Sequence, residues 1–153
     1  MRQLRPILLL GACVVSACGG PQPPPFKPIA DTKLLMQSVV DPNAAIIWES
    51  VKTIDSAAGT EVIRPKNEGE WAAVRNAAVA VAESGNLLML VPRAKDGGEW
   101  MKRAQEMIET GEKAIRAAEA RNAEQLFTVG GDIYEACSNC HRQYMDAIVN
   151  ANK

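Results

Sequence analysis

Histidine is the scarcest chemistry-bearing residue of this chain, because His141 is the only one. A single imidazole excludes coordination of one metal ion by two histidines of this chain, and also a pair of histidines acting as acid and base. No Ser/His/Asp set can be assembled around it. A structural zinc site would need a fourth ligand besides Cys137, Cys140 and His141. We therefore predict that the protein is not an enzyme.

Positive charge and bulky side chains are also in short supply. The chain has 17 Lys and Arg against 18 Asp and Glu, which gives a net charge of −1. Nucleic-acid binding needs a concentrated basic face, so this function is excluded. Two Phe, two Tyr and three Trp fill a core only thinly, and a buried cofactor would complete it. No segment alternates with a period of two, so we predict no strands.

The first 17 residues have the features of an export signal. Two arginines precede an apolar run, Ile7 to Ala17, that is too short to span a bilayer as a helix of about 20 residues. Val15-Ser16-Ala17-Cys18 resembles the lipobox of bacterial lipoproteins, in which the cysteine is lipidated. An ordinary signal peptide cut near Ala17 is the alternative, and Cys13 is a weaker lipidation site. We predict a leader over residues 1–17 and a lipid anchor at Cys18, on the periplasmic side of a bacterial membrane, the outer membrane being one option.

The rest of the chain divides into a tether and one domain. Residues 18–30 are rich in proline and have little to bury, which predicts an extended tether. Residues 31–153 contain four segments with the helical spacing of apolar residues. The last three begin with Asn or Asp and carry Glu or Gln three residues later, as in a capping box. The segments run from about Asp31 to Ser56, interrupted at Pro42, and onward from Asn67, Asp96 and Asn122. We predict an all-α domain, an antiparallel up-down-up-down four-helix bundle.

The sequence Cys137-Ser138-Asn139-Cys140-His141, on the predicted fourth helix, is the attachment signature of c-type haem. The two thiols add to the vinyl groups of the macrocycle, and the adjacent imidazole binds the iron from one side. A thioredoxin-like redox pair would need a βαβ context, which is not predicted. The motif predicts one covalent haem c near one end of the bundle, attached at Cys137 and Cys140, with His141 as the proximal iron ligand.

This motif on a last helix, followed by Tyr144, resembles the cytochrome c′ and cytochrome c556 group of class II c-type cytochromes. Leu35-Met36 followed by Asp41-Pro42 and Trp48, and the stretch Asn86-Leu87-Leu88-Met89, are also similar to c556-type sequences. The resemblance covers roughly Asp31 to Val149, and a lipoprotein leader departs from the commoner soluble periplasmic pattern. It implies a four-helix haem domain, a redox partner protein in a periplasmic electron-transfer chain, and a homodimer as one option.

The ligand on the other side of the iron decides between two functions. Met36 lies on the inner stripe of the first helix, and the resemblance agrees, because the c556 group uses a helix-one methionine. Gap-filling is the alternative role of this side chain, and Met101 and Met107 are further options. With Met36 bound, we predict electron transfer by a six-coordinate haem. Without it, a five-coordinate iron would bind NO or CO, as in cytochrome c′.

Arg93 lies in the connection between the second and third helices, which returns to the end where the haem is predicted. A guanidinium pairs with carboxylates through strong hydrogen bonds, so Arg93 is a candidate partner for a haem propionate. A solvated loop position explains this arginine equally well.

Overall fold

The computed structural model describes the backbone of residues 25–150 and the side chains of residues 25–145. The leader predicted for residues 1–17 and the lipidation site predicted at Cys18 lie outside the described residues. The first helix, α1 (Thr32–Leu35), begins where the tether is expected to end. Asp31 caps it, because its carboxylate accepts a hydrogen bond from the Leu34 amide at 2.7 Å.

A π-helical segment, Met36–Val40, continues α1 into α2 (Asp41–Ser50) without a break. The Asp41 amide donates to the carbonyl of Met36, five residues earlier, which is the wider spacing of a π turn. Pro42 explains this segment, since proline has no amide hydrogen and its ring collides with the carbonyl four residues before it. One continuous helix therefore replaces the expected interruption. We call α1, the π-helical segment and α2 together the first arm.

A β-hairpin follows the first arm, where the sequence predicts helix as far as Ser56 and no strands. Strand β1 (Lys52–Ser56) pairs antiparallel with β2 (Gly59–Ile63). Gly59, with a φ of 123°, permits the tight turn between them. Nearly every residue of the hairpin is exposed, so no alternation of apolar and polar residues marks the two strands. The prediction of an entirely helical domain is wrong at this point.

Three long helices complete the chain, which is mostly helical with this small two-stranded sheet. They are α3 (Glu68–Leu88), α4 (Glu99–Glu119) and α5 (Ala123–Asn150). Helix α3 packs against α4 and α2, and α5 packs against the same two helices. No described helix combines the length and the apolar composition needed to cross a membrane.

The caps of the long helices confirm two predictions and correct one. Asn67 and Asn122 each accept a hydrogen bond through the side-chain oxygen from the amide three residues later, both at 2.9 Å. Asp96 does not start its helix, which begins at Glu99. Its carboxylate instead accepts from the Trp100 amide at 3.0 Å, so it organises the turn that leads into α4.

Glycines bring α3 and α4 into close contact. A Cβ added to Gly85 would lie 2.7 Å from the carbonyl oxygen of Ala104. A Cβ added to Gly111 would lie 2.8 Å from the backbone nitrogen of Ala82. Because non-bonded carbon atoms pack at about 3.5–4.0 Å, a side chain at either crossing would push the helices apart. One face of α3 is buried along the whole length of the helix: Trp71, Val74, Ala78, Val81, Gly85 and Leu88.

Candidate functional site

A cavity of ≈ 340 Å³ opens between the first arm and α5. Most of its wall comes from the arm, between Lys33 and Trp48, and from α5, between Ala136 and Met145. The remaining wall comes from Leu88 of α3 and from three side chains of α4, which are Trp100, Arg103 and Met107. The volume lies within the range of small-molecule and cofactor sites, about 300–1,000 Å³, and most lining residues are apolar, as in such sites.

The structure places Cys137, Cys140 and His141 together on the cavity wall. Residues three and four positions apart share one face of a helix, so α5 presents all three on the same side. The three residues are half-buried, and both cysteines are free thiols. Burial raises the pKa of each thiol; the charge of Asp41 adds to this shift at Cys137, whereas Arg103 opposes it at Cys140. Both thiols are therefore protonated at neutral pH.

Methionines line the cavity from more than one helix. Met36, the predicted distal ligand, lines it from the first arm, and Met107 and Met145 line it from α4 and α5. Met89 and Met101 are not among the lining residues, although they pack against the same hydrophobic core as Met36. Met145 is one turn from the histidine on the same helix and cannot approach from the opposite side. The candidates for a second axial ligand therefore narrow to Met36 and Met107.

Arg93 lies away from the cavity wall. Its side chain is 5 % exposed, its Nε donates to the carbonyl of Ala30 at 3.0 Å, and its Nη1 donates to that of Leu87 at 3.2 Å. These bonds tie the connection after α3 to the residues just before the first arm. The structure thus brings four of the predicted site residues together, but it does not bring Arg93 to them.

Arg103 is a cavity residue that no sequence pattern singled out. Its Nη1 donates to both carboxylate oxygens of Glu106, at 3.0 and 2.8 Å, and its Nη2 donates to Glu99 at 3.3 Å. Its Nε is buried and has no hydrogen-bond partner among the described residues. A buried donor without a partner is unfavourable, so a bound molecule with an acceptor would gain a hydrogen bond here. The signal in the sequence is the spacing with Trp100 and Met107, which puts the three on one face of α4.

Tyr144, three residues after His141, is fixed by two contacts. Its hydroxyl donates to the carboxylate of Asp96 at 2.5 Å, and its ring packs edge-on against Trp100 with centroids 5.0 Å apart. Trp100 in turn donates from its indole to the carbonyl of Leu88 at 2.8 Å. The hydrogen bond with Asp96 raises the pKa of Tyr144 to about 12 and lowers the pKa of Asp96. These contacts join the end of α3, the start of α4 and the turn of α5 that carries the motif.

Trp48 fixes the other side of the cavity. Its indole Nε1 donates to the carbonyl of Gly130 on α5 at 2.9 Å, across 82 positions of the chain. Its ring also lies edge-on to that of Tyr134, with centroids 6.3 Å apart. Trp48, Trp100 and Tyr144, which line the cavity, thus hold the first arm and α4 against α5.

No family model, no curated protein and no solved structure matches this chain. Within residues 25–145, no three His, Cys, Asp or Glu side chains come together as ligands for a metal ion. A functional assignment therefore rests on the Cys-x-x-Cys-His motif and on the cavity that it lines.

Proposed function

We propose that the protein is a single-haem c-type cytochrome that transfers electrons. One observation carries the proposal: Cys137, Cys140 and His141 line the same apolar cavity as Met36, which lies on a different helix. The two thiols would hold the haem as thioethers, and His141 and Met36 would bind its iron from opposite sides. The resemblance to class II c-type cytochromes supports the same ligand set.

We further propose that the first arm, α3, α4 and α5 form an up-down-up-down four-helix bundle. The glycine contacts support opposite directions for α3 and α4, because they pair the late part of α3 with the early part of α4. For α4 and α5, Lys113 donates to Asp132 at 3.1 Å, whereas Asp96 and Tyr144 pair at the other end of the two helices. The haem would then lie near the end of the bundle where α5 finishes.

The residues around the cavity fit a haem. An apolar wall suits the macrocycle, and the unpaired Nε of Arg103 offers a donor to an acidic group. Two free thiols spaced three residues apart match the two vinyl groups. When bound, haem supplies a one-electron redox centre, which these side chains lack.

The side chains of this chain would hold and shield that centre. Trp48 and Trp100 are each anchored by an indole hydrogen bond to a backbone carbonyl, at 2.9 and 2.8 Å. Walls fixed in this way keep the ligand-bearing helices in one geometry, which a preorganised site requires. A methionine ligand opposite the histidine favours a raised reduction potential.

The proposed location is the periplasmic face of a bacterial membrane, with Cys18 as the lipid anchor. An anchor at Cys18 would restrict the domain to redox partner proteins close to the same membrane. Electron exchange with such a partner is the function that a tethered carrier serves best.

Optical spectra of three haem-loaded proteins test the function: the wild type, Met36→Ala and Met107→Ala. We expect covalent haem in all three, detected by haem staining after denaturing electrophoresis. The oxidised wild type should be low-spin with an iron–sulfur charge-transfer band. Met36→Ala should lose that band and become high-spin, whereas Met107→Ala should keep it, because only Met36 binds the iron.

Each of the other outcomes would change the proposed function or the proposed iron ligand. A wild type without covalent haem would refute the cytochrome proposal as a whole. A wild type that carries haem but is already high-spin would replace electron transfer by binding of NO or CO at a five-coordinate iron. Loss of the band in Met107→Ala alone would make Met107 the distal ligand.

A further inference from the structure

The guanidinium of Arg103 is held in the cavity wall with one donor unused. Glu106 and Glu99 accept from its two terminal nitrogens, whereas its Nε is buried without a partner among the described residues. The side chain of Arg103 is only 19 % exposed, against 30 % for Glu106 and 50 % for Glu99. Both glutamates are more exposed than the arginine, and their hydrogen bonds to its two terminal nitrogens hold its planar donor group in place.

We propose that Arg103 binds a carboxylate of the haem through Nε. This inference rests on the haem function proposed above, and it assigns to α4 the role that the sequence offers to Arg93. Haem carries two propionates, which are its only anionic groups, and the remainder of the ring is apolar. A charge-assisted bond to one propionate would satisfy the unused donor and fix the orientation of the ring in the cavity.

The local charges permit a third carboxylate beside Arg103. Lys102 lies 4.0 Å from Glu99, and Lys33 lines the cavity from the first arm. Asp41, on the first arm, is the one acidic residue among the described residues that line the cavity, whereas Arg103 and Lys33 are cationic. A wall with two cationic residues and one acidic residue accommodates a carboxylate of the occupant.

Neither Arg93 nor Lys33 offers an equivalent donor. Nε and Nη1 of Arg93 donate hydrogen bonds to backbone carbonyls outside the cavity. Lys33 is exposed at the cavity edge, where its ammonium keeps its hydration and holds a carboxylate without fixed direction. Arg103 alone combines burial, an unused donor and a position held by neighbouring side chains among the described residues of the wall.

The test compares haem-loaded wild type with Arg103→Gln, Arg103→Lys and Arg116→Gln. Arg116 is the matched control, because it lies on the same helix and pairs with Glu112 at 3.6 Å but is 61 % exposed. Resonance Raman spectra would report the bending vibrations of the haem propionates, and potentiometry would report the reduction potential. Arg103→Lys keeps the positive charge but lacks Nε. If Arg103→Gln does not attach haem, Arg103→Lys still allows the comparison with wild type.

We expect the propionate vibrations to shift in both Arg103 variants and to stay unchanged in Arg116→Gln. Removal of the positive charge in Arg103→Gln should favour the oxidised iron about tenfold, which lowers the potential by 59 mV for one electron. If both Arg103 variants carry covalent haem and their propionate vibrations are unchanged, the proposed role of Arg103 is overturned. The Nε donor would then be hydrogen-bonded to water. Absence of covalent haem from the wild type would instead overturn the proposed function itself.

Discussion

At the scale of single residues, Tyr144 and Asp96 form a hydrogen bond that joins positions 48 apart in the chain. The bond is made by the neutral phenol and the ionised carboxylate. The folded protein therefore holds the pKa of Tyr144 above its ordinary value of 10.0 and that of Asp96 below its ordinary value of 3.8. The hydrogen bond therefore contributes fully to stability only between pH 3.8 and pH 10.0.

The Tyr144→Phe variant should lose this pH dependence. In the wild type, the contribution declines as the pH rises from 10 towards about 12, where Tyr144 ionises, and also as the pH falls below 3.8. NMR of carbon-13-labelled tyrosine should show one phenol that titrates near 12 and is missing from Tyr144→Phe. The control is Tyr134→Phe, at a residue that is 65 % exposed, and it should keep that phenol. Persistence of the signal in Tyr144→Phe would contradict the assignment.

Some residues of the candidate site follow from the sequence, and others depend on packing. Cys137, Cys140 and His141 are recognisable because covalent haem chemistry needs them within five consecutive positions. Met36 follows from helical spacing and from the family resemblance. Arg103 escapes such reasoning, since its glutamate partners at three and four positions away are the usual pattern of an exposed helix face. Its spacing with Trp100 and Met107 puts it on the same face of α4 as these two residues, but the structure is needed to show that this face meets the cavity.

At the scale of secondary-structure elements, the crossing of α3 and α4 depends on glycine. The contact that a Cβ at Gly111 would make is with the backbone of Ala82, which cannot rotate away as a side chain can. The two helices would have to separate along their length. Gly131 on α5 offers a comparison, because a Cβ there would meet nothing within 4 Å.

Gly111→Ala should therefore destabilise the protein, and Gly131→Ala should stabilise it. Overpacking costs about 1–3 kcal/mol and is partly offset by the gain in helix propensity of about 1 kcal/mol, so we expect the free energy of unfolding to fall by up to about 2 kcal/mol in Gly111→Ala. Gly131→Ala should gain up to about 1 kcal/mol from propensity alone. Urea unfolding of both variants would measure the difference. Equal effects would mean that α3 and α4 do not meet as closely as the structure has them.

The helices are more predictable than the element between them. Apolar spacing and the side chains of Asn67 and Asn122 locate α3 and α5, because each depends on neighbours within one turn. The hairpin after Ser50 has no such signal, since neither of its faces packs against the core. Helix α4 begins later than the sequence predicts for a related reason. The carboxylate of Asp96 accepts hydrogen bonds from the Trp100 amide and from Tyr144, which lies far away in sequence.

At the scale of the whole molecule, the cavity takes up space that side chains of a hydrophobic core would otherwise fill. Of the Phe, Trp and Tyr side chains, Trp48, Trp100 and Tyr144 surround it. Small residues such as Ala77, Ala78 and Ala114 fill much of the remaining interior. A molecule that fills the cavity would add to the apolar surface that this protein buries.

Removal of both thiols should therefore lower the stability of the whole domain. Under the haem proposal, Cys137→Ala/Cys140→Ala would lose the haem and with it the apolar surface that haem would bury in the cavity. For a loss of about 2–3 kcal/mol, the melting temperature should drop by roughly 10 °C relative to haem-loaded wild type. Circular dichroism would follow the transition. Ser138→Ala, a change between the two cysteines, should leave the melting temperature within about 2 °C of wild type, as expected for a change of about 0.5 kcal/mol.

The π-helical segment at Met36–Val40 sets how the residues on its two sides are aligned around the helix axis. A π turn holds one residue more than an α turn, so it shifts the angular phase of the helix by about 100°. Met36 at its start and Ala44 and Trp48 beyond it line the same cavity, whereas Ile47 is buried in the core. Deletion of one residue from the segment would turn Met36 by about 100° relative to Ala44 and Trp48, so the three residues would no longer share one wall.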